Sequence, residues 1–289
     1  MIVANDSATD NWTGEYAMLL ANSGGSPLVG VIVNPSLYWP DLATSVDEWN
    51  QLIAAARASG MRNIPDAATG SAGTPLVRPA DGDIEHTTPN MSEGAKLILD
   101  LSARLSLPWR PLVVVTGSRL TEVADAYLMD RSVVDRVVVV SSLGGAAPSG
   151  SVMGWPNGEL DPWADWIVGQ RFRYIQINCY YDQLGDVTTA KAADLPANPF
   201  GTWMAAKVAK VFQIPMSSDQ IGVLSVGVPT FVTAVSRAVV DTAAAFDATT
   251  GPPLLAQADG SGWVVSSCDT AMAADRLWKT LLDPNTFGH

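Results

Sequence analysis

The stretch Ile2-Val3-Ala4-Asn5-Asp6-Ser7-Ala8-Thr9-Asp10-Asn11-Trp12 begins with an apolar pair and runs into short oxygen-bearing side chains: Asn5, Asp6, Ser7, Thr9, Asp10 and Asn11. A helical pattern follows, with Tyr16, Ala17, Leu19 and Leu20 on its apolar side and Glu15 in its first turns. Together these read as a short buried strand, a tight loop and a helix N-terminus. The first N–H groups of a helix lack partners and its dipole is positive there, so carboxylates sit well at that end. Two carboxylates and an amide on one such turn make a hard-cation site, of the kind that binds Ca²⁺ through oxygen alone. A plainer reading of the same residues is that Asp10 caps the helix.

Working outward, the strand–helix unit repeats. Leu28 to Val33 reads as a buried strand, and Asp47 to Arg57 and Ser92 to Leu105 carry apolar residues at helical spacing. Pro111 to Gly117 is a strand that stops at a small-residue turn, Leu120 to Met129 is a helix, and Arg136 to Ser142 is a further strand ending near Gly144-Gly145. Continuous apolar strands indicate a sheet covered on both faces. Their alternation with helices indicates parallel pairing by right-handed crossovers. The expected fold is α/β: a single domain over 1–289 with a mostly parallel, Rossmann-like central sheet flanked by helices. Sites in such sheets lie beyond the carboxyl ends of the strands. The polar cluster after Val3, the turn at Thr116-Gly117 and Gly144-Gly145 all fall at that edge. In the second half, residues 148–166 are rich in Gly, Pro and Trp and read as a long surface insertion. Phe200 to Phe212, Asp219 to Val226 and Asp269 to Leu282 read as helices. Phe231 to Val265 suggests hairpins, turning at Thr249-Thr250-Gly251-Pro252.

Of 289 residues 47% are hydrophobic, enough for a sizeable core, and 17 Lys and Arg face 29 Asp and Glu, a net charge of −12. Such a surface repels a nucleic-acid backbone, and no basic run offsets it, so no nucleic-acid partner is expected. No apolar run reaches the length of a membrane span, and the N-terminus lacks a signal-peptide pattern. The default expectation is a cytoplasmic protein with no membrane partner; a secreted form trimmed by processing is the alternative. Cys179 and Cys268 fit no zinc spacing and read as reduced thiols acting as small hydrophobes.

The order of these pieces resembles the nucleoside hydrolase family, the inosine–uridine type N-ribohydrolases, over nearly the whole chain. Family members begin with a strand and a loop of the form D-x-D-P-G-x-D-D, which Ala4-Asn5-Asp6-Ser7-Ala8-Thr9-Asp10-Asn11 resembles. Gly30 to Leu37 is similar to the next strand and its asparagine-bearing loop. Asn63-Ile64-Pro65 followed by Pro75-Leu76-Val77-Arg78 is similar to the "I-P-V…P-L" passage. Thr116-Gly117-Ser118-Arg119-Leu120-Thr121-Glu122-Val123-Ala124 resembles G-P-L-T-N-[IV]-A with one extra residue, and Leu143-Gly144-Gly145 resembles M-G-G.

This resemblance implies hydrolysis of the N-glycosidic bond of a nucleoside-like small molecule, with Ca²⁺ as cofactor. Asp6, Asn11, the Thr116 carbonyl and Asp219 would bind the metal, and Asp6 would act as general base. Asp219 is chosen because Ser218-Asp219-Gln220-Ile221-Gly222-Val223 resembles H-D-P-L-A-V. Asp10 would hold a ribose hydroxyl, and Asn157 and Asp165 resemble the asparagine and glutamate that grip the outer side of the sugar. Trp12, Trp155, Trp163 and Trp166 adjoin the expected pocket and offer a flat wall for a base. The family's dimers and tetramers imply a homo-oligomer. The chain also departs from the pattern. Ala4 replaces the first loop Asp, Asn11 the last, and Ser218 stands where many members place a His that protonates the leaving base. Glu15, one turn beyond Asn11, is placed to supply the charge missing there. His86, the only internal histidine, lacks the H-G-x-x-G surroundings; it reads either as a hydrogen-bonded structural residue or as a substrate-site acid. The competing reading is a descendant that keeps the fold and sugar pocket without hydrolysis.

Overall fold

Runs of Val and Ile pair side by side to form the middle of the molecule. The computed structural model describes residues 1–9, 12–22, 26–142, 157–158, 160–177, 192–207, 232–240, 245–248 and 254–283. Among these, the strands are β1 (Ile2–Asn5), β2 (Gly30–Val33), β3 (Ala67–Thr69), β4 (Leu112–Thr116), β5 (Val137–Ser142), β6 (Arg173–Ile177), β7 (Val232–Val240), β8 (Leu254–Ala256) and β9 (Gly262–Cys268). The helices are α1 (Thr13–Asn22), α2 (Leu42–Ala58), α3 (Glu93–Leu105), α4 (Thr121–Met129), α5 (Pro162–Arg171), α6 (Pro199–Lys207) and α7 (Thr270–Leu282). The strands join one sheet in the order β3-β2-β1-β4-β5-β6-β9-β7-β8. All pairs from β3 to β9 are parallel, while β7 runs antiparallel to both β9 and β8.

Strand side chains alternate between two buried layers. Val3, Val31, Val33, Val115, Val140 and Ile177 pack on the layer built with α1, α2, α6 and α7. Ile2, Ala4, Ile32, Val114, Val139 and Tyr174 pack on the layer built with α3, α4 and α5. This double burial is why the strands read as continuous apolar runs. Helix starts are fixed by caps: the Ser92 hydroxyl accepts from Ala95 N at 3.2 Å, and the Asp161 carboxylate accepts from Ala164 N at 3.0 Å ahead of Pro162. The chain turns from β1 to β2 and β3 on one side, then resumes with β4, β5 and β6 on the other. The winding direction therefore reverses between β1 and β4, which opens a crevice beyond their carboxyl ends.

Three expectations need correction. Residues 161–171 are not part of a surface insertion; they form the cap and body of α5, with Trp163 and Trp166 buried. The Asp-Pro start is a helix signal that the surrounding Gly and Pro obscured. Cys268 is disulfide-bonded rather than a reduced thiol. Separation along the chain does not measure distance across a parallel sheet, and the Cys268-bearing β9 lies directly beside β6; Cys179 is outside the described residues. Finally, β3 and β6 are strands that the apolar pattern did not announce. The expected helix at Asp219 to Val226 and the turn at Thr249 to Pro252 are outside the described residues. No helix among the described residues is long and apolar enough to cross a membrane.

Gly14, in the first turn of α1, faces the Trp49 ring so closely that an added Cβ would stand 2.2 Å from Cη2. Because Trp49 is fully buried and its Nε1 donates to the Asp6 carbonyl at 2.9 Å, the ring has nowhere to retreat. Gly14→Ala is expected to destabilise the fold by about 1–3 kcal/mol through overpacking, despite alanine's better helix propensity. Urea denaturation of the two proteins measures it.

Candidate functional site

The site is built where β1 and β4 end. Asp6 follows β1 directly, Thr116 closes β4 opposite Ala4, and Gly117 N donates to the Ala4 carbonyl at 2.8 Å. Asp6 is buried, and one carboxylate oxygen accepts from Ser7 N at 2.6 Å. Its backbone carbonyl is taken by Trp49 of α2. The carboxyl edge thus brings the ends of β1 and β4, with Asp6 and Thr116, side by side at the switch point.

Around them several buried polar atoms have no hydrogen-bond partner among the described residues: both side-chain atoms of Asn5, the Thr116 hydroxyl, the Ser71 hydroxyl and one oxygen of Glu122. A buried polar group left unpaired costs free energy, so these atoms call for partners beyond the described residues. Among the described residues no group of three or more His, Cys, Asp or Glu side chains is gathered to hold a metal. Of the expected ligands, Asp6 and Thr116 are described, whereas Asn11 and Asp219 lie outside the described residues. Asp10 lies outside them too. The donors in view are neutral or carboxylate oxygens, and they fit a hard cation.

Behind this edge lies a network that sequence reasoning missed. Asn34, one residue past β2, donates to Glu122 Oε1 at 2.8 Å and to the Ser118 hydroxyl at 3.3 Å, and accepts from Ser71 N at 3.3 Å. Gly70 is obligatory beside it, since a Cβ there would lie 1.9 Å from Asn34 Oδ1. Glu122 is fully buried at the start of α4; burial raises its pKa from 4.5 to about 7, against the Asn34 hydrogen bond and the nearby Arg119 charge. Arg119 donates to the carbonyls of Pro35 at 3.2 Å and Gly73 at 2.9 Å, tying three loops together. Asp161, also raised by burial, accepts from the Thr121 hydroxyl at 2.6 Å and from Leu76 N at 2.9 Å. One signal was readable: Glu122 occupies the position of the asparagine in T-N-[IV]-A.

The outer candidates divide. Asn157 reaches the edge, donating to the Ser142 carbonyl at the end of β5 at 2.7 Å. Asp165 is fully buried on α5, near enough to Tyr174 to contribute to raising that phenol's pKa, after burial itself. Trp166 packs edge-on against Phe246 at 5.7 Å, as Trp163 does at 5.3 Å. Trp12 is buried against Trp278 of α7, with ring centroids 5.8 Å apart, and Trp155 lies outside the described residues. His86 sits on an exposed 3-10 turn (Ile84–His86), held by Asp81 at 2.7 Å, and this hydrogen bond raises its pKa. The adjoining Glu85 bonds Tyr127 and Arg171, in the last turns of α4 and α5. His86 thus stands by the last turns of α4 and α5, whereas Asp6 and Thr116 stand at the carboxyl ends of β1 and β4. Glu15 is buried within α1.

No family model and no curated protein matches the chain. Solved structures do match. An inosine–guanosine nucleoside hydrolase superposes with a TM-score of 0.67 at 15% identity, over 97% of this chain and 98% of that one. The inosine–uridine preferring nucleoside hydrolase from Bacillus anthracis gives 0.64 at 13%, over 97% and 98%. The purine-preferring ribonucleoside hydrolase from Gardnerella vaginalis gives 0.63 at 14%, over 99% of each chain. Identities this low speak for the fold, and the chain has the nucleoside hydrolase fold along essentially its whole length.

Proposed function

We propose that the protein hydrolyses the N-glycosidic bond of a nucleoside or nucleoside-like compound, with Ca²⁺ as cofactor. The observation that carries this reading is the placement of buried Asp6 beside Thr116 at the switch point of a nucleoside hydrolase fold. Asp6 and Thr116 would hold the cation together with Asn11 and Asp219. Bound there, it would supply Lewis acidity that makes a water easier to deprotonate. Asp6 accepts that proton as general base. The water oxygen adds to the anomeric carbon as the N-glycosidic bond breaks, and positive charge spreads over the ring. Buried carboxylates near the carbon favour that charge. With His86 away from Asp6, no described acid protonates the leaving base. Asp10, Asn157 and Asp165 would orient the sugar, and a dimer or tetramer belongs to the same proposal.

A panel of natural nucleosides and p-nitrophenyl riboside, assayed with and without Ca²⁺, tests it. Release of the base is expected only with metal. The riboside should be cut faster than purine nucleosides, because its leaving group needs no proton. The placement of His86, with Ala4 in the metal loop, favours a second reading, a ribosyl-binding descendant without hydrolysis. Silence across the panel with metal present, together with measurable ribose binding, selects that alternative.

A further inference from the structure

The turn from Asp6 to Thr9 contains neither proline nor glycine, so its backbone is not stiffened by a ring or relaxed by a missing Cβ. What fixes it comes from elsewhere in the chain. The Ser7 hydroxyl donates to Glu48 Oε2 on α2 at 2.8 Å, and it accepts from Thr9 N at 3.0 Å. The Thr9 hydroxyl lies 2.8 Å from the same oxygen. Glu48 is buried, and Lys207 of α6 approaches its other oxygen at 3.4 Å, so the charge is compensated where water cannot do it. The next residue on α2, Trp49, holds the Asp6 carbonyl. One face of α2 therefore grips the turn at two successive residues, while Ser7 N supports the Asp6 carboxylate.

We propose that Glu48 is a positioning residue for Asp6, acting through the Ser7 hydroxyl, with Lys207 holding Glu48 in place. The functional part of this proposal rests on the hydrolase reading; the mechanical part does not. Losing Glu48 leaves the Ser7 hydroxyl without its acceptor and frees the turn, so Asp6 samples orientations in which it neither ligates a cation nor faces a water. A residue that merely stabilised the fold would lower the melting temperature without changing the turn selectively.

The experiment compares full-length wild type with Glu48→Ala, Glu48→Gln, Ser7→Ala and the Ser7→Ala/Glu48→Ala pair. Hydrogen exchange of the Ser7 and Thr9 amides in metal-free protein is the first readout; Ca²⁺ affinity by calorimetry and kcat and KM on the riboside follow. Glu48→Ala and Ser7→Ala should each speed exchange in the turn by about tenfold, and the pair by no more than either alone. Glu48→Gln, which keeps an acceptor for Ser7, should stay within about threefold of wild type. Ca²⁺ affinity and kcat should fall about tenfold in the two alanine variants, with KM within about twofold. Unchanged exchange in Ser7→Ala overturns the proposal, as do multiplying effects in the pair. A wild type that neither binds Ca²⁺ nor cleaves the riboside defeats the hydrolase reading instead, and the exchange comparison still decides whether Glu48 holds the turn.

Discussion

Asp6→Ala is expected to abolish base release, with kcat on p-nitrophenyl riboside falling by at least about 10³-fold, the scale of losing a general base. The fold should survive. Its backbone carbonyl, which alanine retains, accepts from Trp49 across the core, and the bond from Ser7 N to its carboxylate is local. Asp6→Asn sharpens the test, because it still accepts from Ser7 N but is far too weak a base to take a proton from water. Steady-state rates and thermal melts on the three proteins separate chemistry from stability. If Asp6→Asn keeps a tenth or more of wild-type turnover, Asp6 is not the base.

The second large effect concerns pH. Below about pH 4.5 the Glu122 carboxyl is protonated in both folded and unfolded chains, and from there to about 7 only the folded chain keeps the proton. Stability is thus full below the unfolded value and declines as pH rises through the folded one, by about 1.4 kcal/mol per unit and roughly 3 kcal/mol in all. Glu122→Gln keeps an oxygen for Asn34 to donate to and cannot ionise. It should match wild type near pH 4.5 and exceed it by roughly 3 kcal/mol at pH 8. Asp161, raised in the same direction, contributes a decline common to both proteins. Urea unfolding at a series of pH values reads the difference; parallel curves for the two proteins would mean that Glu122 is ionised in the folded state at neutral pH.

Much of the architecture was legible because its strands are apolar on both sides. Leu112 to Thr116 and Val137 to Ser142 could be read from composition, and their helices from caps such as Ser92 and Asp269. β6 hid because Arg173 and Gln176 break the apolar run; the buried Gln176 is partnered by the Tyr174 hydroxyl at 3.3 Å. β3 hid because it is three small or polar, half-buried residues at the sheet edge. In the site, Asp6 and Thr116 could be placed because each ends a recognisable strand. Glu48 could not, since it meets Ser7 from 41 residues away, a pairing that only the packing of α2 on β1 creates. The packing of Trp166 on Phe246 was not legible either, because the two residues are far apart in sequence.

The contact between Trp12 and Trp278 has a kinetic consequence. Trp12 takes a left-handed backbone conformation, φ 55°, costly for so large a residue, and it is held beneath a helix from the far end of the chain. During synthesis, β1 and the polar turn emerge well before α7, and only with α7 is that conformation enforced. Closing so long a loop is slow, and parallel pairing of β6 with the late strand β9 adds to the delay. A nascent chain would thus form a collapsed α/β core before the conformation at Trp12 is locked.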